Sequence, residues 1–409
     1  MMSDAMAGAA GPPADPISAP VPDPMGEPTL DPMPDPTLDP MLDPAPDPMP
    51  DLRERLRRTR RVATPWRDDA ARGVRAERLD ALLDRWVSGY DWAAHARRVR
   101  ALPWATVRTA GGDELRLVHQ RAADPGAPVV VLLHGWPDSV LRFERVLPLL
   151  ADLNVVVPAL PGFPFAAPLT AAGTSGETSA GVSAGMSVNR IAAVVAGALE
   201  ALGYARYTLS GGDVGGTVAE ILAGEHPDRV AALHLTNVAP QRALTADPAA
   251  LAPDAAAYLG RAARWFRGEG GYIAEQSTRP NTLAVALGDS PAGLAAWLVE
   301  KLDAWSDGPD AFTPDELLTW VTAYWASGTI GTSFATYAEP AALPERVGTP
   351  TVLSVFAHDT KPEPRSYAEA FLNVRAYVEH DAGGHFAAWE RPEEYAGDVR
   401  RAVGLGVGG

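Results

Sequence analysis

The sequence predicts an α/β fold, a mostly parallel central sheet covered by helices, with a helical cap and a helical N-terminal segment. Three observations carry that prediction. Short apolar runs recur between Pro128 and Val378, as expected of strands buried on both faces. Helical patterns separate most of those runs, and strands that alternate with helices form a parallel sheet. Two stretches break the alternation with helical spacing alone, one ahead of the first strand and one across residues 241–340.

Taken in order, the chain opens on an acidic, proline-rich tail, residues 1–50. From Pro12 to Pro50 it cycles through Asp-Pro-Met, Leu-Asp-Pro and Pro-Asp-Pro units. Prolines without N–H donors and mutually repelling aspartates predict disorder there. Residues 51–103 form the helical N-terminal segment. A short basic helix or turn carries Leu52 and Leu56 as far as Arg61. Leu79, Leu82, Leu83 and Trp86 recur at helical spacing in Arg75–Val87, and Tyr90-Asp91-Trp92 opens a further helix through Val99.

The first part of the core spans 104–240. Thr106–Thr109, a Gly111-Gly112 turn and Leu115–Val118 read as a β-hairpin. Buried strands are expected at Pro128–Leu133, Asn154–Val157, Tyr207–Leu209 and Ala231–Leu235, and a helix at Thr217–Ala223. Residues 166–187, rich in Ala, Gly, Ser and Thr, read as a mobile loop. Residues 241–340 carry most of the aromatics and read as the cap. The core resumes over 341–409, with strands at Thr351–Phe356 and Arg375–Val378.

Composition narrows the function. The 409 residues are 46% apolar, enough for one large core. No cysteine occurs, so thiolate chemistry, thiolate metal ligation and disulfides are excluded. The formal net charge is -16, but ten of the acidic residues lie in 1–52 beside no Lys or Arg, so the body of the chain is only mildly acidic. That balance argues against nucleic acid and anionic membrane as partners. No apolar run approaches the roughly 18 residues of a spanning helix, and the expected compartment is the cytoplasm.

The chemistry centres on Ser210-Gly211-Gly212-Asp213-Val214-Gly215-Gly216, directly after one strand and before a helix. Small residues flanking a central one at such a turn describe a nucleophile elbow, which exposes the central side chain at a helix N-terminus. The competing reading is an aspartate that merely caps the helix. His134-Gly135-Trp136-Pro137 follows an earlier strand, where the backbone N–H of Trp136 can join that of Val214 as an oxyanion hole, each donor worth about 3 kcal/mol. His134 itself is expected to organise the loop. Gly383-Gly384-His385-Phe386 presents an imidazole after the last strand. Asp359, just past Thr351–Phe356, is placed to fix the His385 tautomer, with Glu363 and Asp381 as competitors. A carboxylate nucleophile forms an ester of the enzyme, so His385 must activate water. Displacement at carbon, as in epoxide opening or dehalogenation, is then favoured over acyl transfer.

These residues resemble the microsomal-type epoxide hydrolases of the α/β-hydrolase superfamily, from about Asp51 to Val403. The resemblance is carried by Gly89-Tyr90-Asp91-Trp92, His134-Gly135-Trp136-Pro137, Val157-Pro158-Ala159-Leu160-Pro161-Gly162-Phe163, Gly211-Gly212-Asp213, Asp289 through Trp297, and Gly383 through Ala388. It implies two cap tyrosines that hydrogen-bond the epoxide oxygen, at positions matching Tyr272 and Tyr337, with Tyr324 the nearest rival. A phenol of ordinary pKa near 10 suits that step. The chain departs from the family where Val214 replaces the usual Trp, Asp138 the usual Gly, and Ala357 the usual Pro. The Val214 change predicts a wider substrate site.

The expected function is therefore an epoxide hydrolase using Asp213, His385, Asp359, Tyr272 and Tyr337, with no cofactor and no metal. Its expected partners are a small-molecule epoxide and water, in detoxification or biosynthesis, with a homodimer left open. A haloalkane-type dehalogenase is the nearest enzyme alternative, weakened because Val214 offers no side-chain donor to a halide. A non-catalytic binding protein on a hydrolase scaffold is the alternative from another class.

Overall fold

A computed structural model describes residues 48–167 and 186–408. Nearly all of the acidic tail, and the Ala/Gly/Ser/Thr-rich stretch over 168–185, lie outside the described residues. Three N-terminal helices come first: α1 (Met49–Arg57), α2 (Ala76–Ser88) and α3 (Trp92–Arg100). The first ends at Arg57, short of the basic run to Arg61. The hairpin β1 (Trp104–Arg108) and β2 (Glu114–Gln120) follows. The core then runs β3 (Val129–Leu133), β4 (Asn154–Pro158), α4 (Val188–Ala201), β5 (Tyr207–Gly211), α5 (Asp213–Glu225) and β6 (Val230–Leu235).

Eight helices occupy the stretch before the next strand: α6 (Arg242–Thr245), α7 (Pro253–Glu269), α8 (Gly271–Thr278), α9 (Pro280–Asp289), α10 (Pro291–Trp305), α11 (Pro314–Ser327), α12 (Ile330–Ser333) and α13 (Ala335–Ala338). The chain closes with β7 (Val347–Phe356), α14 (Arg365–Phe371), β8 (Leu372–His380), α15 (Ala387–Glu390) and α16 (Pro392–Val407). No single described helix is long and apolar enough to cross a membrane.

The sheet order is β1-β2-β4-β3-β5-β6-β7-β8. From β4 to β8 every pairing is parallel, and only β1–β2 and β2–β4 are antiparallel. Val130 to Leu133 at the centre are fully buried, which explains an apolar run without alternation. Helix α5 packs against β3, β5, β6 and β7. Helix α16 covers the face on which Ser210 and Ser354 project, where their hydroxyls bond Tyr395 and Asp398. After β4 the chain returns to the other side of β3 to form β5, so strand order reverses around β3. Ligands of open α/β sheets bind at the carboxyl ends of strands beside such a reversal. The loops after β3 and β5, which carry His134–Pro137 and Gly212–Asp213, meet there.

The N-terminal helices grip the cap. Trp86, fully buried, donates its indole N–H to Thr322 Oγ1 at 3.0 Å, and the Tyr90 hydroxyl bonds Thr319 Oγ1 at 3.1 Å, both on α11. Arg55, Arg78 and Arg85 pair with Asp289, Asp303 and Asp315.

Candidate active site

Asp213 is not followed by a gap before its helix, as a helix beginning at Thr217 would require; it is the first residue of α5. Its φ of 54° is one of two positive values among described non-glycine residues. L-residues avoid that region at a cost of about 1–3 kcal/mol, and such strain gathers at functional turns. The neighbours show why they must be glycine. A Cβ on Gly215 would stand 2.1 Å from Leu133 O, and one on Gly135 would stand 2.6 Å from Asp213 Oδ1. The sharp turn thus brings the carboxylate against the loop after β3, where the Trp136 N–H donates to Asp213 Oδ1 at 2.9 Å. Asn237 Oδ1 accepts the Asp213 N–H at 2.9 Å and steadies the turn. Val214, second in the helix, carries one of the N–H groups a helix start leaves without an internal partner.

Asp213 Oδ2 lies 3.9 Å from His385 Nε2, which is buried and has no hydrogen-bond partner among the described residues. On the other side of the ring, His385 Nδ1 and Asp359 Oδ1 are 2.9 Å apart. Burial pushes the Asp359 carboxyl up, but the charge and hydrogen bond of His385, with Lys361 and the Thr360 N–H, outweigh it and hold it at about 2. Among the described residues neither competitor bonds the imidazole: Glu363 accepts the Val238 N–H, and the partner of His385 Nδ1 is Asp359. A carboxylate on Nδ1 leaves Nε2 as the basic nitrogen facing Asp213.

Tyr272 on α8 and Tyr337 on α13 bring their rings within 5.8 Å of each other, and Trp136 stacks on Tyr272 at 5.3 Å. Burial, and then the Asp213 charge, push both phenols well above 10. The expectation of an ordinary phenol pKa is therefore corrected: these groups stay protonated and serve as donors. The Tyr337 hydroxyl is buried beside the Tyr272 hydroxyl, to which it makes at most a weak bond. Tyr324 is engaged elsewhere, donating to Asp138 O at 3.1 Å.

A cavity of about 160 Å³ is lined by Asp213, Val214, both tyrosines, Trp265 and Phe266, among others. It is smaller than the roughly 300–1,000 Å³ of typical ligand pockets. Val214 lines this space, and Trp265 and Phe266 of the cap help wall it. Trp136 does not line this cavity, but its ring packs on both tyrosines and its indole N–H is buried without a hydrogen-bond partner among the described residues.

Several residues support the site, most of them in roles that sequence reasoning did not supply. Asp138 is fully buried, accepting the Gly135 N–H at 2.8 Å and pairing with buried Arg142. Arg142 in turn donates to the carbonyl of His385. His134 accepts the Leu160 N–H at 3.1 Å and so organises its loop as expected. Glu390 accepts the N–H groups of Gly384 and Phe386, and His385 N–H donates to Trp305 O at 2.8 Å. One signal was available: a Cβ on Gly384 would stand 2.5 Å from Trp305 O, so the glycine pair before the histidine marks a close approach.

Comparison with known proteins shows the family and the fold. The family model described as epoxide hydrolase N terminus matches residues 43–143, and that of the alpha/beta hydrolase fold matches 128–276. A protein of Stigmatella aurantiaca named "putative epoxide hydrolase" is 32% identical, covering 86% of this chain and 81% of its own. The structure of Aspergillus niger epoxide hydrolase superposes with a TM-score of 0.76 at 27% identity, covering 87% of this chain and 93% of that one. The crystal structure of juvenile hormone epoxide hydrolase from the silkworm Bombyx mori gives 0.73 at 25% identity, covering 88% and 91%.

Proposed function

Because the chain belongs to the epoxide hydrolase family, joining that family's N-terminal segment to an α/β-hydrolase core, we propose that it converts an epoxide to a vicinal diol through an ester of Asp213. One observation carries the reading. Asp213 Oδ1 is held by the Trp136 N–H, while Oδ2 is left toward His385 and a cavity that Tyr272 and Tyr337 also line.

In the first step a bond forms from Asp213 Oδ2 to an epoxide carbon as the carbon–oxygen bond breaks. Negative charge moves from the carboxylate to the epoxide oxygen, where the two phenols donate hydrogen bonds and one supplies a proton. In the second step water gives a proton to His385 Nε2 and attacks Asp213 Cγ. The oxyanion on Oδ1 meets the N–H groups of Trp136 and Val214. Collapse breaks the bond from Cγ to the oxygen now belonging to the diol, which takes its proton from His385. The remaining proton of water leaves as the carboxylate reforms and returns to the phenol. Asp359 keeps the imidazole in the tautomer that can perform both transfers.

A single turnover of an aryl epoxide in ¹⁸O-water tests this order of bonds. Label in the Asp213 carboxyl, with none in the first diol released, is expected. Label in the diol after one turnover would mean direct attack by water and would refute the ester.

A further inference from the structure

Asp213 borders two cavities with different linings. The larger one carries Tyr272 and Tyr337 but not His385. The second, about 20 Å³, is lined by His385, Asp359, Asn237 and Glu363 and by neither tyrosine. Asp213, Pro240 and Lys361 border both. A cavity needs about 10–15 Å³ and two to four polar partners to hold one water. The smaller chamber meets both conditions and is too small for an organic substrate.

Glu363 has no part in the chemistry described so far, yet it is 4% exposed. The Val238 N–H donates to its Oε1, which fixes the carboxyl plane. The Tyr377 hydroxyl bonds its backbone carbonyl at 2.8 Å, pinning the loop from the other side. Apart from that bond and its own backbone N–H, no residue among those described donates to the carboxyl, which lines the chamber. Across the same chamber His385 Nε2 is buried without a hydrogen-bond partner among the described residues, a condition that costs about 1–3 kcal/mol and that a water held there would relieve. Burial also pushes this carboxyl up to about 8, so it stands there as a neutral acid that can both donate to and accept from water.

We propose that the smaller chamber holds the water that hydrolyses the Asp213 ester, and that Glu363 is the residue that positions it. The assignment rests on the ester reading above. Water bonded to Glu363 Oε2 and to His385 Nε2 has its oxygen held near Asp213 Cγ while the alkyl group of the ester occupies the other cavity. The bonds made and broken are those of the second step, and Glu363 gains or loses no proton in them.

Single-turnover kinetics with styrene oxide, followed by the intact mass of acid-quenched protein, separates ester formation from ester hydrolysis. Glu363→Met fills the chamber without a polar atom, and Glu363→Ala enlarges it. Both are expected to form the ester at the wild-type rate and to hydrolyse it about 10- to 100-fold more slowly, the cost of a misplaced reactant. Glu363→Gln, which keeps an acceptor and a donor, is expected to restore hydrolysis. A purely structural role would slow both steps together, without rescue by Gln; that result, or wild-type hydrolysis in the Met and Ala variants, overturns the assignment. Absence of any ester in a His385→Gln control would instead overturn the ester reading, and the chamber's role with it.

Discussion

Replacing Tyr337 by Phe removes one oxygen and nothing else, and the consequences for stability and rate differ widely in size. The hydroxyl is buried beside the Tyr272 hydroxyl, to which it makes at most a weak bond. In the resting protein that bond roughly offsets the desolvation of the group, so its loss is expected to change stability by no more than about 1 kcal/mol. In the transition state of epoxide opening the same hydroxyl donates to a developing alkoxide. Removing one such donor from a water-excluded site costs about 3–4 kcal/mol, or 10²- to 10³-fold in rate. Tyr272→Phe is expected to slow the same step by a similar factor, since its ring remains to stack on Trp136. The double variant should fall below either single one, though by less than the product, because a lone survivor can centre itself on the oxygen. The assay is single-turnover ester formation alongside thermal unfolding. Loss of hydrolysis with ester formation intact would place the tyrosines in the wrong half of the reaction and refute the reasoning.

Three further outcomes follow from the same geometry. Asp359→Asn keeps the shape of the site but destroys the tautomer control on His385; the ester should form and persist, with hydrolysis down about 10³- to 10⁴-fold, seen as accumulated adduct mass. Arg142→Met leaves Asp138 buried without its partner, which should destabilise by about 3–5 kcal/mol in denaturant unfolding, and adding Asp138→Asn should recover part of that loss. Glu363, raised from 4.5 to about 8, binds a proton in the folded protein that the unfolded chain has released. Its stabilising share is therefore complete below about pH 4.5 and lost as pH rises through about 8. Wild type should lose stability relative to Glu363→Gln across that window, with Asp359, Lys361, Tyr258 and Tyr367 present in both; parallel pH profiles would refute the shift.

What the sequence revealed and what it hid have a common physical cause. Strands β3 and β4 were legible because full burial on both faces leaves an uninterrupted apolar run. Strand β7 was read four residues short, since Gly348 and Pro350 look like punctuation; the structure absorbs them in register shifts. Strand β8, at the sheet edge, is mostly half-buried and carries exposed Arg375 and Glu379, which blurs its ends. Asp213, His385 and Asp359 were readable because each sits at a strand end with a local signature of glycines or chain order. Arg142 and Glu390 went unnamed, Glu363 stood only as a rival acid and Asp138 only as a departure from the family, because a buried charge and a surface charge are the same letter. Their burial depends on partners far along the chain, such as the 243 residues that separate Arg142 from the carbonyl of His385.

Among the described residues the N-terminal helices make no hydrogen bond or ion pair with the reacting groups named above, yet they bear on the reaction through the cap. Their exposed ion pairs with Asp289 and Asp315 are worth at most about 1 kcal/mol each. The firm attachment is Trp86, fully buried and hydrogen-bonded to α11. Helix α11 packs on α10, and α10 ends at Trp305, whose carbonyl accepts the His385 N–H and whose ring lies 5.2 Å from Tyr272 and 5.3 Å from His385. Loosening that attachment should therefore disturb the tyrosine and histidine sides together. Trp86→Ala is expected to cost about 3–5 kcal/mol in unfolding and to slow both ester formation and hydrolysis, whereas Arg85→Ala should leave both within about twofold. If Trp86→Ala lowers stability while both rates stay at wild type, the segment props the fold without setting the geometry of the site.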